Sequence, residues 1–224
     1  ATTSLALNGA TIRDAASNNA ILSLPALAGS DSLAGNKALV IDTTGPSITS
    51  VSSTTANGIY KAGDTITVNV VFSEVVNVNT AGGTPTLTLE TGSTDRNATY
   101  SSGSGSNTLS FSYVVQAGDT SSDLNYKATT SLALNGATIR DAASNNAALS
   151  LPALAGSDSL AGNSALVIDT SAPSILSVNS SPTSGSFKAG DTISINVAFS
   201  KAVNVNTSGG TPTLTLETGS TDRN

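Results

Sequence analysis

The sequence contains a long internal repeat. Residues 1–20 return without a change at residues 128–147, which gives an offset of 127 residues. At this offset residues 1–97 align with residues 128–224 without an insertion, and roughly four-fifths of the aligned positions are identical. A solenoid unit has only about 20–50 residues, whereas a unit of this length is the size of a whole domain. The chain is therefore predicted to be a string of similar domains.

Two proline-containing segments predict where one repeat ends and the next begins. Residues 41–46 and their copy, residues 168–173, break the alternation of apolar and polar side chains. Proline fixes φ and keeps the residue before it extended, so these segments are predicted to be stiff junctions. The predicted domains are the C-terminal part of one repeat (1–43), a complete repeat (44–170) and the N-terminal part of the next (171–224). A circularly permuted domain frame is the alternative interpretation.

Alternating apolar and polar residues predict short strands throughout the repeat. In the clearest of them, residues 65–72, the apolar side chains share one face. Asn135-Gly136 is the dipeptide preferred in type I′ hairpin turns, because both central residues need positive φ. No stretch has a helical face, so the predicted fold class is all-β, with tandem immunoglobulin-like β-sandwich domains. The predicted strands are 47–53, 65–72, 75–78, 84–90, 96–100, 108–115, 124–134, 138–140, 147–151 and 165–168.

Tyr126 allows two interpretations. It follows a predicted loop-to-strand corner, where a tyrosine hydroxyl can bond to upstream backbone, as in the tyrosine corner of Greek-key sandwiches. The alternative is an ordinary tyrosine of the hydrophobic core, and the sequence alone favours neither interpretation over the other.

Composition argues against nucleic-acid binding and against most enzyme chemistry. The net charge is -6, whereas nucleic-acid binding needs clustered Lys and Arg. His and Cys are absent, which removes the usual general base and the thiol nucleophile. Two carboxylates suffice for glycoside hydrolysis, but Glu74 becomes Lys201 in the next repeat, so no enzyme activity is expected. No apolar run approaches the ~18 residues of a membrane-spanning helix.

Four short motifs stand at the junctions and before predicted strands. They are Asp-Thr-Thr-Gly-Pro (42–46), Asp-Thr-Ser-Ala-Pro (169–173), Ala-Gly-Asp-Thr (62–65) and Arg-Asp-Ala-Ala-Ser-Asn-Asn (140–146). These motifs resemble the tandem immunoglobulin-like repeats of large bacterial surface adhesins, including those secreted by type I systems with calcium-binding repeats. That family often has Ala where Gly45 stands and Gly where Ser17 and Ser144 stand. The resemblance covers the whole chain and implies extracellular repeats that form stalks or bundle into fibres.

Aspartate residues around the second junction predict a calcium site. Calcium takes about six to eight oxygen ligands from carboxylates, amides, backbone and water. In a seven-strand immunoglobulin topology, the loops after the first and fifth strands lie at the end where the last strand exits. A cation there would remove carboxylate repulsion and stiffen the joint to the next domain. The residues expected to converge are Asp64, Asp119, Asp123 and Asp169.

A second calcium candidate is the turn at residues 141–146. Its oxygen donors are Asp141, Asn145 and Asn146. Two further candidate ligands are Asp42 and Asp191, the repeat equivalents of Asp169 and Asp64. The spacing does not match an EF-hand loop. In the alternative interpretation, these Asp and Asn side chains bond their own backbone and form turns without a metal.

The leading functional hypothesis is a structural segment, a stalk or fibre, of a long extracellular bacterial adhesin or surface filament that acts in adhesion or biofilm. One alternative is a module that binds a glycan or protein, because the repeats differ most between residues 52–60 and 179–187. The other is self-assembly through pairing of strand edges or strand exchange. The expected partners are neighbouring repeats and other copies in a filament, with neither nucleic acid nor a membrane span.

Overall fold

The computed structural model describes residues 5–223 and consists mostly of β-strands. It confirms the predicted all-β class, because each of the two described helices is only 4 residues long. The helices are α1 (Leu33–Asn36) and α2 (Leu160–Asn163). The strands are β1 (Ile48–Ser53), β2 (Gly58–Tyr60), β3 (Thr65–Asn79), β4 (Thr86–Glu90), β5 (Arg96–Ser102), β6 (Ser106–Val114), β7 (Thr120–Ser121), β8 (Asn125–Tyr126), β9 (Leu132–Ala133), β10 (Thr138–Arg140), β11 (Leu166–Asp169), β12 (Ile175–Ser181) and β13 (Ser194–Phe199).

Most strands belong to one antiparallel sheet, which is 8-stranded. Its order is β1-β3-β6-β5-β4-β8, with β10 beside β3 and β9 beside β4. A second sheet has the order β2-β11-β7, in which β11 is parallel to β2 and antiparallel to β7. Strands β12 and β13 form an antiparallel pair of their own.

One hydrophobic core joins the large sheet to the second sheet. Ile66, Val68 and Val70 are each 0% exposed, as the two-residue period of a strand requires. Leu166 and Ile168 of β11 contribute to the same cluster from the second sheet. Every buried member of this cluster lies between residues 51 and 168, inside the predicted repeat 44–170.

Strand β3 is one strand of 15 residues where the sequence predicts two. The predicted break at Ser73-Glu74 is instead a shift in the pairing with β6, between Val71 and Val76. A β-bulge of this kind takes up extra residues without ending the strand. The second half of β3 then pairs with β10, where Ile139 lies opposite Val78. The bulge therefore keeps Glu74 on the long strand instead of in a loop.

Two other predicted strands are wrong. Residues 124–134 form the separate strands β8 and β9, because the backbone turns between them and Ser131 N donates to the Ala128 carbonyl at 3.0 Å. Residues 147–151 form no extended strand, and Ala148 makes only an isolated bridge to Ser47. The side-chain alternation predicts strands in both regions, but the backbone pairs only in part, since β8 and β9 pair with β4 in two separate short stretches.

Helix α2 is an element that the sequence does not predict. A helix of 4 residues is too short to show a helical period of apolar side chains. Ser159 caps its N-terminus, since its Oγ accepts a hydrogen bond from Gly162 N at 3.0 Å. A Cβ on Gly162 would lie 2.4 Å from the Gly156 carbonyl oxygen, so this close approach requires glycine.

The predicted turn at Asn135-Gly136 forms, but it does not close a hairpin, because β9 pairs with β4 and β10 pairs with β3. Both residues have positive φ, 52° for Asn135 and 93° for Gly136, as a type I′ turn requires. The turn is closed by Ala137 N, which donates to the Leu134 carbonyl at 2.9 Å. The dipeptide therefore fixes the connection between β9 and β10.

Tyr126 is a residue of the core with a backbone partner. It is 1% exposed, and its hydroxyl donates to the Pro152 carbonyl at 2.5 Å. Because Pro152 lies downstream of Tyr126, this bond differs from the upstream bond of a tyrosine corner. Of the two interpretations, the structure therefore favours the core tyrosine.

Candidate functional site at the repeat junctions

The entry junction, residues 41–46, lies beside the later half of β3. Ser73 N, on β3, donates to the Ser47 carbonyl at 2.8 Å, directly after the junction. The side chain of Asn145 donates to the Asp42 carbonyl at 3.1 Å. The entry junction is thus held between β3 and the turn that follows β10.

The exit junction, residues 168–173, lies beside the beginning of β3. The Thr170 hydroxyl donates to the Asp119 carbonyl at 2.8 Å. Asp119 follows β6, whose Val114 pairs with Thr65 at the first position of β3. The two junctions therefore lie beside different parts of β3, and the regular stretch of the strand from Thr65 to Val71 spans about 20 Å at ~3.3 Å per residue.

Asp119, a predicted calcium ligand, has its carboxylate oxygens occupied by protein donors. It is 1% exposed. Oδ1 accepts from Arg96 Nε at 2.8 Å, and Oδ2 accepts from the Tyr113 hydroxyl at 2.6 Å and from Gln116 N at 2.9 Å. Burial raises the pKa of Asp119, but the hydrogen bonds from Tyr113 and Arg96 outweigh it, so the pKa lies below its ordinary value. These contacts make Asp119 part of a buried structural network.

The other carboxylates predicted around the exit junction have separate surroundings. Asp64 accepts from Lys61 N at 2.9 Å and from Lys61 Nζ at 3.0 Å, and these bonds lower its pKa. Its repeat equivalent Asp191 accepts from Lys188 N at 2.9 Å in the same way. Asp123 is exposed. Asp64 and Asp191 therefore make the contacts of turn-forming residues, and their binding of calcium stays a prediction.

An acidic cluster lies at the entry junction instead. Within residues 5–223, the single group of three acidic side chains with oxygens within 4.8 Å of one another is Asp42, Glu74 and Asp141. We call these three residues the entry cluster. Asp42 comes from the junction, Glu74 from β3, and Asp141 follows β10. The sequence predicts Asp42 and Asp141 as candidate ligands but does not predict that they meet, and it misses Glu74.

Asn145 orients Asp141 within the entry cluster. Asn145 N donates to Asp141 Oδ1 at 2.8 Å, and Asn145 Nδ2 donates to Oδ2 at 2.8 Å. Asn146 lies apart from this arrangement, because its Oδ1 accepts from Arg140 Nε at 2.8 Å. Of the three donors predicted in this turn, the structure therefore places Asp141 and Asn145 at the entry cluster.

The entry cluster is electrostatically strained. Partial burial raises the pKa of Glu74, and the negative charges of Asp42 and Asp141 raise it further. Three neighbouring carboxylates supply the hard oxygen donors that calcium prefers. The residues present therefore fit a divalent cation, which would compensate their repulsion and connect the junction to β3.

The exit junction has a positive charge at the equivalent position. Lys201 is the repeat equivalent of Glu74, and Asp169 is the repeat equivalent of Asp42. Lys201 Nζ donates to Asp169 Oδ2 at 2.7 Å and to Oδ1 at 2.9 Å. The hydrogen bond from Lys201, together with bonds from Ser171, lowers the pKa of Asp169 to about 2. The exchange of Glu for Lys beside an equivalent Asp is the sequence signal that could have identified Glu74.

Comparison with known protein families, with curated proteins and with solved structures found no match. None of the helices in the described part of the chain has the length and apolar character needed to cross a bilayer. The function is therefore inferred from the geometry of the repeat and its junctions.

Proposed function

We propose that this chain is a structural segment of a long extracellular bacterial adhesin or surface filament and that it has no enzymatic activity. Its immunoglobulin-like β-sandwich domains follow one another every 127 residues and project a binding tip or connect cells in adhesion and biofilm. The observation that carries the proposal is that the chain enters the repeat beside the later half of β3 and leaves it beside the beginning of β3. Each repeat would therefore add length to the molecule.

The assignment of a β-sandwich is supported by the core. Antiparallel strands of the large sheet supply most buried side chains, while Leu166 and Ile168 of β11, exposed by 0% and 1%, come from the second sheet. Short strands with alternate buried residues and tight turns are typical of immunoglobulin-like domains. The chain contains no Cys, so this apolar core must stabilise the domain without a disulfide.

Calcium at the entry cluster is the second part of the proposal. A cation bound by Asp42, Glu74 and Asp141 would connect the junction to β3 and to the turn after β10. This would restrict the angle between consecutive repeats, as a stalk under load requires. The proposal is supported by the 4.8 Å spacing of the carboxylate oxygens and by the raised pKa of Glu74.

A display experiment tests the proposed function. One or three copies of residues 44–170 are placed between a surface anchor and a known binding domain on an encapsulated bacterium. We expect attachment to increase with copy number, because a longer stalk carries the binding domain beyond the capsule. Flexible Gly/Ser linkers with the same numbers of residues are the control, since their end-to-end distance grows only as about the square root of length. Equal attachment with one and three copies would contradict the proposal.

A further inference from the structure

We propose that Lys201 is a built-in cation that fixes the exit junction, so that this junction keeps its geometry without a bound metal ion. The inference deepens the proposed stalk function and rests on it, because the angle between repeats matters only where repeats transmit length. It concerns a position where neighbouring repeats carry opposite charges.

The ammonium group of Lys201 is surrounded by oxygen atoms from both sides of the predicted boundary after residue 170. Two of them are the carboxylate oxygens of Asp169, at 2.7 and 2.9 Å. The other two belong to Ser171, whose carbonyl oxygen and Oγ each lie 2.8 Å from Nζ. A single side chain therefore binds the end of one repeat and the linker to the next.

These contacts connect two paired sets of strands. Asp169 is the last residue of β11 and lies opposite Thr120 of β7 in the second sheet. Lys201 directly follows Ser200, which is bound to the segment before β12, since Ser200 N donates to the Ser174 carbonyl at 2.8 Å. The ion pair therefore bridges from the second sheet to the pair of strands β12 and β13, and closes a ring across the linker.

The entry junction shows what the same position looks like without the ammonium group. Glu74 stands there in the place of Lys201, and one of its carboxylate oxygens lies within 4.8 Å of a carboxylate oxygen of Asp42 and of Asp141. That arrangement would need a cation from solution to balance its charge, whereas Lys201 supplies the positive charge from the chain itself. Consecutive junctions of one chain would therefore differ in their dependence on metal ions.

The expected effect is on orientation and not on global stability. The side chains of Lys201 and Asp169 are 34% and 38% exposed, and exposed ion pairs contribute little to the free energy of unfolding. Domains joined by a short linker reorient freely unless specific contacts hold them. A lock with four oxygen partners supplies such contacts at little cost in folding energy.

Distances between spin labels across the exit junction test the inference on the full chain. The sequence has no Cys, so T65C and N196C create two unique labelling positions, both exposed, on β3 and β13. We expect a narrow distance distribution that is equally narrow in calcium and in EDTA. The variant K201M should broaden it roughly twofold, because the linker is then free to reorient. The matched control is K188M, which removes an exposed Lys of the same segment and should change nothing.

A second arm asks whether Lys201 acts through Asp169. D169N alone should broaden the distribution, and K201M should add nothing in that background. Three results would overturn the inference: a distance distribution of K201M as narrow as that of wild type, a further broadening when K201M is added to D169N, or a broadening of the wild-type distribution in EDTA. Each of these results leaves the stalk function standing. A wild-type distribution that is broad in both calcium and EDTA overturns the inference together with the proposed stiff stalk.

Discussion

At the scale of single residues, the acidic side chains divide by their surroundings into structural groups and candidate ligands. Asp119 is buried and accepts hydrogen bonds from Arg96 and Tyr113. Burial raises the pKa of Tyr113, and the hydrogen bond to Asp119 raises it further. Glu74 has two carboxylates as neighbours. The sequence presents both residues simply as acidic, because their surroundings are set by residues distant in the chain.

Replacing Asp119 by Asn should destabilise the chain by about 2–3 kcal/mol, because Arg96 and the Tyr113 hydroxyl would lose a charged, buried acceptor. Chemical denaturation of the full chain measures this. The control is D64N, which removes an exposed turn contact and should cost less than about 1 kcal/mol. Similar losses for the two variants would show that the buried network contributes no more than a surface turn.

Glu74 should make the metal-free chain more stable on mild acidification. Its pKa in the folded state is raised above its ordinary value by burial and by Asp42 and Asp141. The folded state therefore binds the proton more tightly than the unfolded state, and stability is gained as the pH falls from neutral through the raised pKa. In EGTA, the Tm of wild type relative to E74Q should rise between about pH 7 and pH 5. A difference in Tm between wild type and E74Q that stays constant with pH would contradict the repulsion of Glu74 by Asp42 and Asp141. An increase in Tm on adding calcium that is equal in E74Q and wild type would contradict the metal proposal.

At the scale of elements, local signals are predictable and long-range pairing is not. Strands such as β1 and the Asn135-Gly136 turn follow from side-chain alternation and from backbone preferences within a few residues. The bulge in β3 depends on its partners β6 and β10, which lie elsewhere in the sequence, so the pattern alone predicts a break. The charge exchange could have identified Glu74, but the meeting of the three carboxylates could not be predicted, since the bulge keeps Glu74 on β3 near two distant segments.

The Asn135-Gly136 turn also shows how one element constrains another. Gly136 has a φ of +93°, and a Cβ there would lie 2.4 Å from the Gly82 carbonyl oxygen. G136A should therefore destabilise the chain by about 2–3 kcal/mol, from backbone strain and a steric clash combined. The matched control is G105A, because Gly105 has a φ of +84° but open space around it. Its expected cost is only about 1 kcal/mol, and equal costs in denaturation experiments would show that the contact with Gly82 is unimportant.

At the scale of the whole molecule, the repeat predicts a string of domains, but not how they are connected in space. The separation of the entry and exit junctions along β3 follows from the pairing of β3 with β6 and β10. Under the proposed function, this separation would let consecutive repeats form an extended array. We propose that the charges at the junctions, Glu74 at one and Lys201 at the other, determine how each joint is held.

Small-angle scattering on one, two and three copies of residues 44–170, joined at the junctions, tests the account most directly. The copies are measured in calcium and in EGTA. We predict that the maximum dimension grows by a constant increment of about 20–30 Å per copy in calcium, because each copy adds the separation of its entry and exit positions along β3. An increment that shrinks with each copy in calcium, as in a flexible or collapsed chain, would contradict the proposal that the repeats form a stiff stalk.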